Sequence, residues 1–110
     1  MHKFRKIRGM NLPYREQGLI WFTCMNYALQ PPQVQGKINQ LCREVGGDYV
    51  DALFAMLTRE NVSVPWIEQT YHVSDSVLYE RRRKFYEKFA GEIKRRAADL
   101  PSLRERISSD

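Results

Sequence analysis

Residues 63–88 read Ser63-Val-Pro-Trp-Ile-Glu-Gln-Thr-Tyr-His-Val-Ser-Asp-Ser-Val-Leu-Tyr-Glu-Arg-Arg-Arg-Lys-Phe-Tyr-Glu-Lys88, and the fold turns on this stretch. Ser63 reads as an N-cap, with Pro65 in the first turn of a short helix, where a missing N–H costs nothing. Trp66, Ile67 and Tyr71 supply the apolar side of that helix. His72-Val73-Ser74 breaks the periodicity. Ser74 then caps a second, much longer helix from Asp75 to about Ala98. The spacing Ile67, Tyr71, Val73, Leu78 places two apolar residues under the first helix, a plug in the turn and an anchor beneath the second. Two helices joined by a three-residue turn follow from that spacing.

Working outward, Pro101 ends or kinks the long helix. Ser102 to Ile107 can add one more turn, and 108–110 are expected to fray. Upstream, Asn61-Val62 is a short connection from a third helix, capped by Asp48, with Tyr49, Val50, Leu53, Phe54, Met56 and Leu57 as its apolar set. Before it, Val34, Ile38, Leu41, Cys42 and Val45 keep the i, i+4, i+7, i+8 rule of a helix that starts at Pro31-Pro32 and stops at Gly46-Gly47. The first helix is read from an Asn11 N-cap and Pro13 to about Leu29. Tyr14, Gly18, Trp21, Met25 and Leu29 form its buried stripe, with Phe22 and Ala28 beside it. No strand pattern is present. The expectation is an all-α, five-helix compact domain over 11–107 with a helix-turn-helix at about 63–88 and a long C-terminal helix. A basic flexible arm, residues 1–10, precedes it.

At 110 residues, 43% apolar and 28% charged, the chain has the composition of one globular domain. Its formal charge of +5 is unevenly spread. Residues 1–12 hold four cations and no anion, residues 13–79 four cations against seven anions, and residues 80–110 ten against six. A basic surplus at both ends suits a polyanion, either nucleic acid or an anionic membrane surface, although basic tails also keep a small protein in solution. The longest apolar run, Leu19 to Cys24, is too short to span a bilayer, and no signal peptide follows the basic N-terminus, so a cytoplasmic protein is expected. Cys24 and Cys42 fall at helical spacing among apolar residues and read as buried free thiols. Neither they nor His2 and His72 have metal-ligand spacing. With no phosphate-binding glycine loop and no nucleophile beside a base, neither an enzyme nor a cofactor is expected.

The Val73-Ser74 turn resembles the helix-turn-helix of bacterial regulators, in which an apolar residue and a serine often stand at that place. The stretch from Val73 to Ala90, with its serine-capped aromatic and basic helix ending near Phe89-Ala90, also resembles the C-terminal helix-turn-helix of late transcription regulators from phages of Gram-positive bacteria. The resemblance covers about a quarter of the chain. Two positions depart from the superfamily: Glu68 stands where a small residue is usual, and His72 where glycine is. His72 must therefore take a positive φ or force a longer turn.

The resemblance implies double-stranded DNA as the partner and a transcription regulator of a phage or mobile element as the role. Asp75, Ser76, Tyr79, Glu80 and Arg83 are the base-edge candidates at the start of the second helix. Ser76 donates or accepts; Tyr79 donates to phosphate or stacks; Arg83 pairs with guanine or binds phosphate. Asp75 and Glu80 repel phosphates and must lie over a cytosine amino group or face elsewhere. Lys3, Arg5, Arg81, Arg82, Lys84 and His72 are the phosphate candidates. Four consecutive cations cannot share one side of a helix, so Arg82 is expected near the apolar seam, snorkelling outward. The same run also reads as a solvated face paired with Glu80 and Glu87. The stripe Tyr86, Phe89, Ile93 and Ala97 either packs within the chain or forms a homodimer seam. Two other functions stay open: an accessory factor in conjugation or packaging, and a helical protein–protein adaptor.

Overall fold

Proline punctuates the chain: Pro13 and Pro31 each stand immediately before a helix, and Pro32 and Pro65 lie in first turns. A computed structural model describes residues 10–98, the last three as backbone only. Five α-helices follow in order: α1 (Tyr14–Met25), α2 (Pro32–Gly46), α3 (Val50–Thr58), α4 (Val64–Tyr71) and α5 (Asp75–Ala98). Short 3-10 turns at Tyr27–Leu29 and Gly47–Tyr49 link the first three, and there is no strand among the described residues. The all-α expectation is met. The arm through residue 9, Ser102 to Ile107 and the tail 108–110 lie outside the described residues. Met10, assigned to the arm by sequence, is buried in the core.

The interior consists of two apolar clusters. The larger joins Ile20 and Cys24 of α1, Ile38, Leu41, Cys42 and Val45 of α2, Leu53 and Leu57 of α3, and Phe85, Tyr86, Phe89 and Ala90 of α5. The smaller joins Ala52 of α3, Ile67 of α4, Val73 of the turn and Leu78 of α5. Ala52 and Leu53 are consecutive, and successive helical residues point about 100° apart. α3 therefore forms the wall between the clusters and contributes to both.

Three expectations change. α1 buries Gln17, Ile20 and Cys24 and not the stripe through Tyr14 and Leu29; Tyr14, Phe22 and Leu29 are all exposed. Apolar residues surround this helix on nearly every side, so periodicity alone does not select its inner face. Gln17, fully buried, donates from Nε2 to the Leu12 carbonyl at 2.9 Å, which satisfies the amide where it enters the core. α1 also stops four residues early. The Asn26 side chain and backbone N–H both donate to the Phe22 carbonyl (2.8 and 3.1 Å), a local alternative to continued helix. Finally, neither Asn11 nor Asp48 caps a helix: Pro13 and Tyr49 occupy the cap positions with no side-chain cap bond, and Asp48 lies in a 3-10 turn.

Of the two readings of the α5 stripe, the structure bears on the packing within the chain. Tyr86 and Phe89 are buried within the chain, and Ile93 packs against the same cluster. Tyr86 and Phe89 are used for the protein's own interior, Ile93 is half-buried, and the side chain of Ala97 lies outside the described residues. Cys24 and Cys42 are free and buried, as expected. Burial pushes the Cys24 thiol up and the Cys42 thiol to about 12, so both stay protonated and unreactive at neutral pH. No helix among the described residues is long and apolar enough to cross a membrane.

Candidate nucleic-acid interface

The turn between α4 and α5 sets the geometry of the site. Ser63 Oγ accepts from the Trp66 N–H at 3.2 Å and opens α4 as its sequence predicts. After eight helical residues α4 is stopped by His72, whose φ of 53° and ψ of 52° are left-handed. The Glu68 carbonyl accepts from the backbone N–H of His72 and again from that of Val73 at 3.3 Å. The second bond spans six residues, the signature of a helix stop that usually employs glycine at the left-handed position. Val73 then drops into the smaller cluster beside Ile67, four residues before the end of α4, and Leu78 closes it from α5. His72 thus takes the positive φ, and the turn keeps its three residues.

A non-glycine residue in this conformation costs roughly 1–2 kcal/mol, most for a β-branched one. His72→Val is therefore expected to destabilise the protein by about 1–2 kcal/mol, whereas His72→Gly, which relieves the strain but frees the unfolded chain, should lie within about 1 kcal/mol of the parent on the stabilising side. Urea denaturation of the two variants checks this. A valine variant as stable as the glycine one would contradict a left-handed turn.

Ser74 opens α5 less tightly than the sequence suggests. Its Oγ lies 3.5 Å from the Val77 nitrogen and 3.3 Å from Ser76 Oγ, so the hydroxyl is shared between the cap and its neighbour. Trp66 is not part of the buried side of α4. It is 41% exposed and meets the half-buried Tyr71 edge-on at 6.2 Å, while Ile67, one step round the helix, takes the inward position.

All five base-edge candidates, Asp75, Ser76, Tyr79, Glu80 and Arg83, are exposed. Their spacing is that of one helix face. They differ in how far each is already engaged. The Tyr79 ring carries the Arg82 guanidinium, 5.1 Å from its centroid. Glu80 is paired with Lys84 at 3.1 Å, in the favourable i, i+4 order, and that ammonium holds the Glu80 carboxyl below its usual range. Asp75 lies in the first turn of α5, where the helix dipole favours an anion. Arg83 is exposed, and among the described residues no carboxylate lies within ion-pair distance of it.

The phosphate candidates separate in the same way. Arg81 and Arg82 are half-buried, each with a buried Nε that has no hydrogen-bond partner among the described residues. The four cations therefore do not ring the helix evenly: Arg82 lies at the apolar boundary, as its place in the run requires, and Arg81 joins it. Lys84 faces solvent but is paired with Glu80. The His72 side chain is exposed at the turn, and Lys3 and Arg5 lie outside the described residues. Farther along α5, Lys88 bonds Glu44 of α2 at 3.4 Å, Lys94 bonds Glu16 of α1 at 3.6 Å, and Arg95 bonds Glu92 at 3.4 Å. Those cations are held by carboxylates, which concentrates the unpaired charge of the outer face at Arg83. Arg59, just past the end of α3, is a further exposed cation that periodicity gave no reason to single out. Comparison with known proteins finds no matching family model, no matching curated protein and no matching solved structure.

Proposed function

We propose that this chain binds double-stranded DNA by placing the start of α5 in the major groove, with Arg83 at a base edge or phosphate and Ser76 and Tyr79 beside it. The observation that carries the reading is the exposed face of Asp75, Ser76, Tyr79, Glu80 and Arg83 on a helix fixed from below by Val73 and Leu78. A rigid rod with its polar side outward is what groove insertion needs. Lys3 and Arg5 of the basic N-terminus supply backbone contacts, which give affinity without sequence choice. The resemblance of 73–90 to phage late regulators supports a role in transcription. A processing factor of a mobile element would use the same contacts.

A second reading, a protein–protein adaptor, is favoured by Leu19, Phe22 and Leu29, which are 51%, 59% and 83% exposed. One measurement separates the two. A DNA binder that neutralises about four phosphates should lose about 100-fold in affinity for mixed-sequence duplex between 50 and 200 mM salt. An adaptor should give no complex at either salt. Selection from random duplexes then supplies the recognised sequence.

A further inference from the structure

Trp21 and Met25 of α1, Met56 of α3, Arg59, Glu60 and Arg82 of α5 wall a cavity of about 230 Å3. It lies where the two apolar clusters adjoin, since Trp21 packs on the larger and Met56 on the smaller. Its walls are mostly apolar, but its charged groups are unbalanced. Arg59 is exposed, and among the described residues neither it nor Arg82 is within ion-pair distance of a carboxylate. One face of the Arg82 guanidinium is used by Tyr79. Its Nε is buried with no acceptor among the described residues. Among the described residues Glu60 is the one carboxylate on the wall, so their formal balance of two arginines against one glutamate is a single positive charge.

We propose that this cavity binds a small monocarboxylate with an aromatic or branched aliphatic body. The carboxylate takes charge-assisted hydrogen bonds from Arg82 and Arg59, whose planar donor forks suit it. Met25 and Met56 adapt to the body of the ligand, and Trp21 offers an aromatic wall. A single negative charge matches the local balance, whereas a phosphate dianion would leave excess negative charge beside Glu60. The volume is below the range of about 300–1,000 Å3 that holds drug-sized ligands, which restricts the body to a single ring or its aliphatic equivalent. Burial already pulls the Arg82 pKa down from its ordinary value, and an anion in the cavity offsets the cost of keeping that charge partly out of water. The site meets the DNA reading only at Arg82, which stacks on Tyr79; Trp21, Met25, Met56, Arg59 and Glu60 belong to α1, α3 and the segment after α3.

The test is titration of phenylacetate, and of the neutral phenylacetamide, into the full chain carrying Trp66→Phe, so that Trp21 gives the sole indole N–H resonance. The expected result is saturable shifts of that resonance and of the Met25 and Met56 methyls with phenylacetate. Binding should be at least about tenfold weaker for the amide and in Arg82→Gln or Arg59→Gln, and unchanged in Arg15→Gln. Should Arg82→Gln fail to fold, the exposed Arg59 carries the test. Equal binding of acid and amide, unchanged affinity in Arg59→Gln, or no saturable shift overturns the proposal.

Discussion

Phe85→Ala is expected to lower the stability of the protein by about 3–5 kcal/mol, a substantial part of what a domain of this size has. Phe85 is fully buried and is among the largest side chains with no exposure. Its ring meets those of Phe89 at 5.7 Å and Tyr86 at 6.3 Å, and the larger cluster surrounds it with residues of four helices. Removing it takes away both the transfer energy of the ring and the contacts its neighbours made with it, because the walls are drawn from helices that cannot all close inward together. Thermal and urea denaturation measure the loss. Leu29→Ala, at a residue 83% exposed, should change stability by less than about 0.5 kcal/mol and serves as the comparison. If Phe85→Ala lost less than about 1 kcal/mol, or turned a dimer into a stable monomer, the aromatic stripe of α5 would have to lie at a subunit seam and not in the interior.

Arg83→Ala should weaken binding to the selected DNA sequence about 10- to 100-fold and leave binding to random duplex nearly unchanged, provided the guanidinium reads a base. The residue is exposed and has no carboxylate partner among the described residues, so its truncation should not disturb the fold. Lys84→Ala should have a smaller effect, because Glu80 neutralises the ammonium at 3.1 Å before any phosphate arrives. Lys3→Ala should lower affinity alike on every sequence, as a backbone contact does. Competition gel shifts with specific and random duplex give all three numbers at fixed salt. Equal loss on both duplexes for Arg83→Ala would make it a phosphate contact and leave base reading to Ser76 and Tyr79. No loss on either would remove the start of α5 from the interface.

Sequence patterns disclosed some parts of this molecule better than others, for physical reasons. α2 shows its buried face at Ile38, Leu41, Cys42 and Val45 because charged and amide residues occupy the opposite side. The α4–α5 turn is equally legible: Ser63, Val73 and Leu78 each have one position in which their chemistry is satisfied, and His72 adopts the left-handed backbone that a three-residue turn demands. α1 was not legible. With Leu19, Ile20, Trp21, Phe22, Cys24 and Met25 in close succession, the inner face was decided by tertiary contacts and by the bond from Gln17 to Leu12. The outer face of α5 was placed correctly as exposed. Of the pairings that divide it, Lys84 on Glu80 is among those the sequence offers, and Arg82 on Tyr79 follows i, i+3 spacing and could likewise have been read from it. The depth of Arg81, by contrast, depends on neighbouring helices that no local pattern reveals.

The double service of α3 bears on how the molecule can be divided. A peptide cut at residue 63 would retain α4, the turn and α5, yet lose Ala52, the floor on which Ile67 and Leu78 rest. Because Leu53 next door belongs to the other cluster, no excision upstream of α4 can supply that floor without also carrying residues whose natural companions lie on α1 and α2. The motif is therefore not a portable cassette. Grafting it onto another scaffold would require a host helix that presents an alanine-sized residue at the same place.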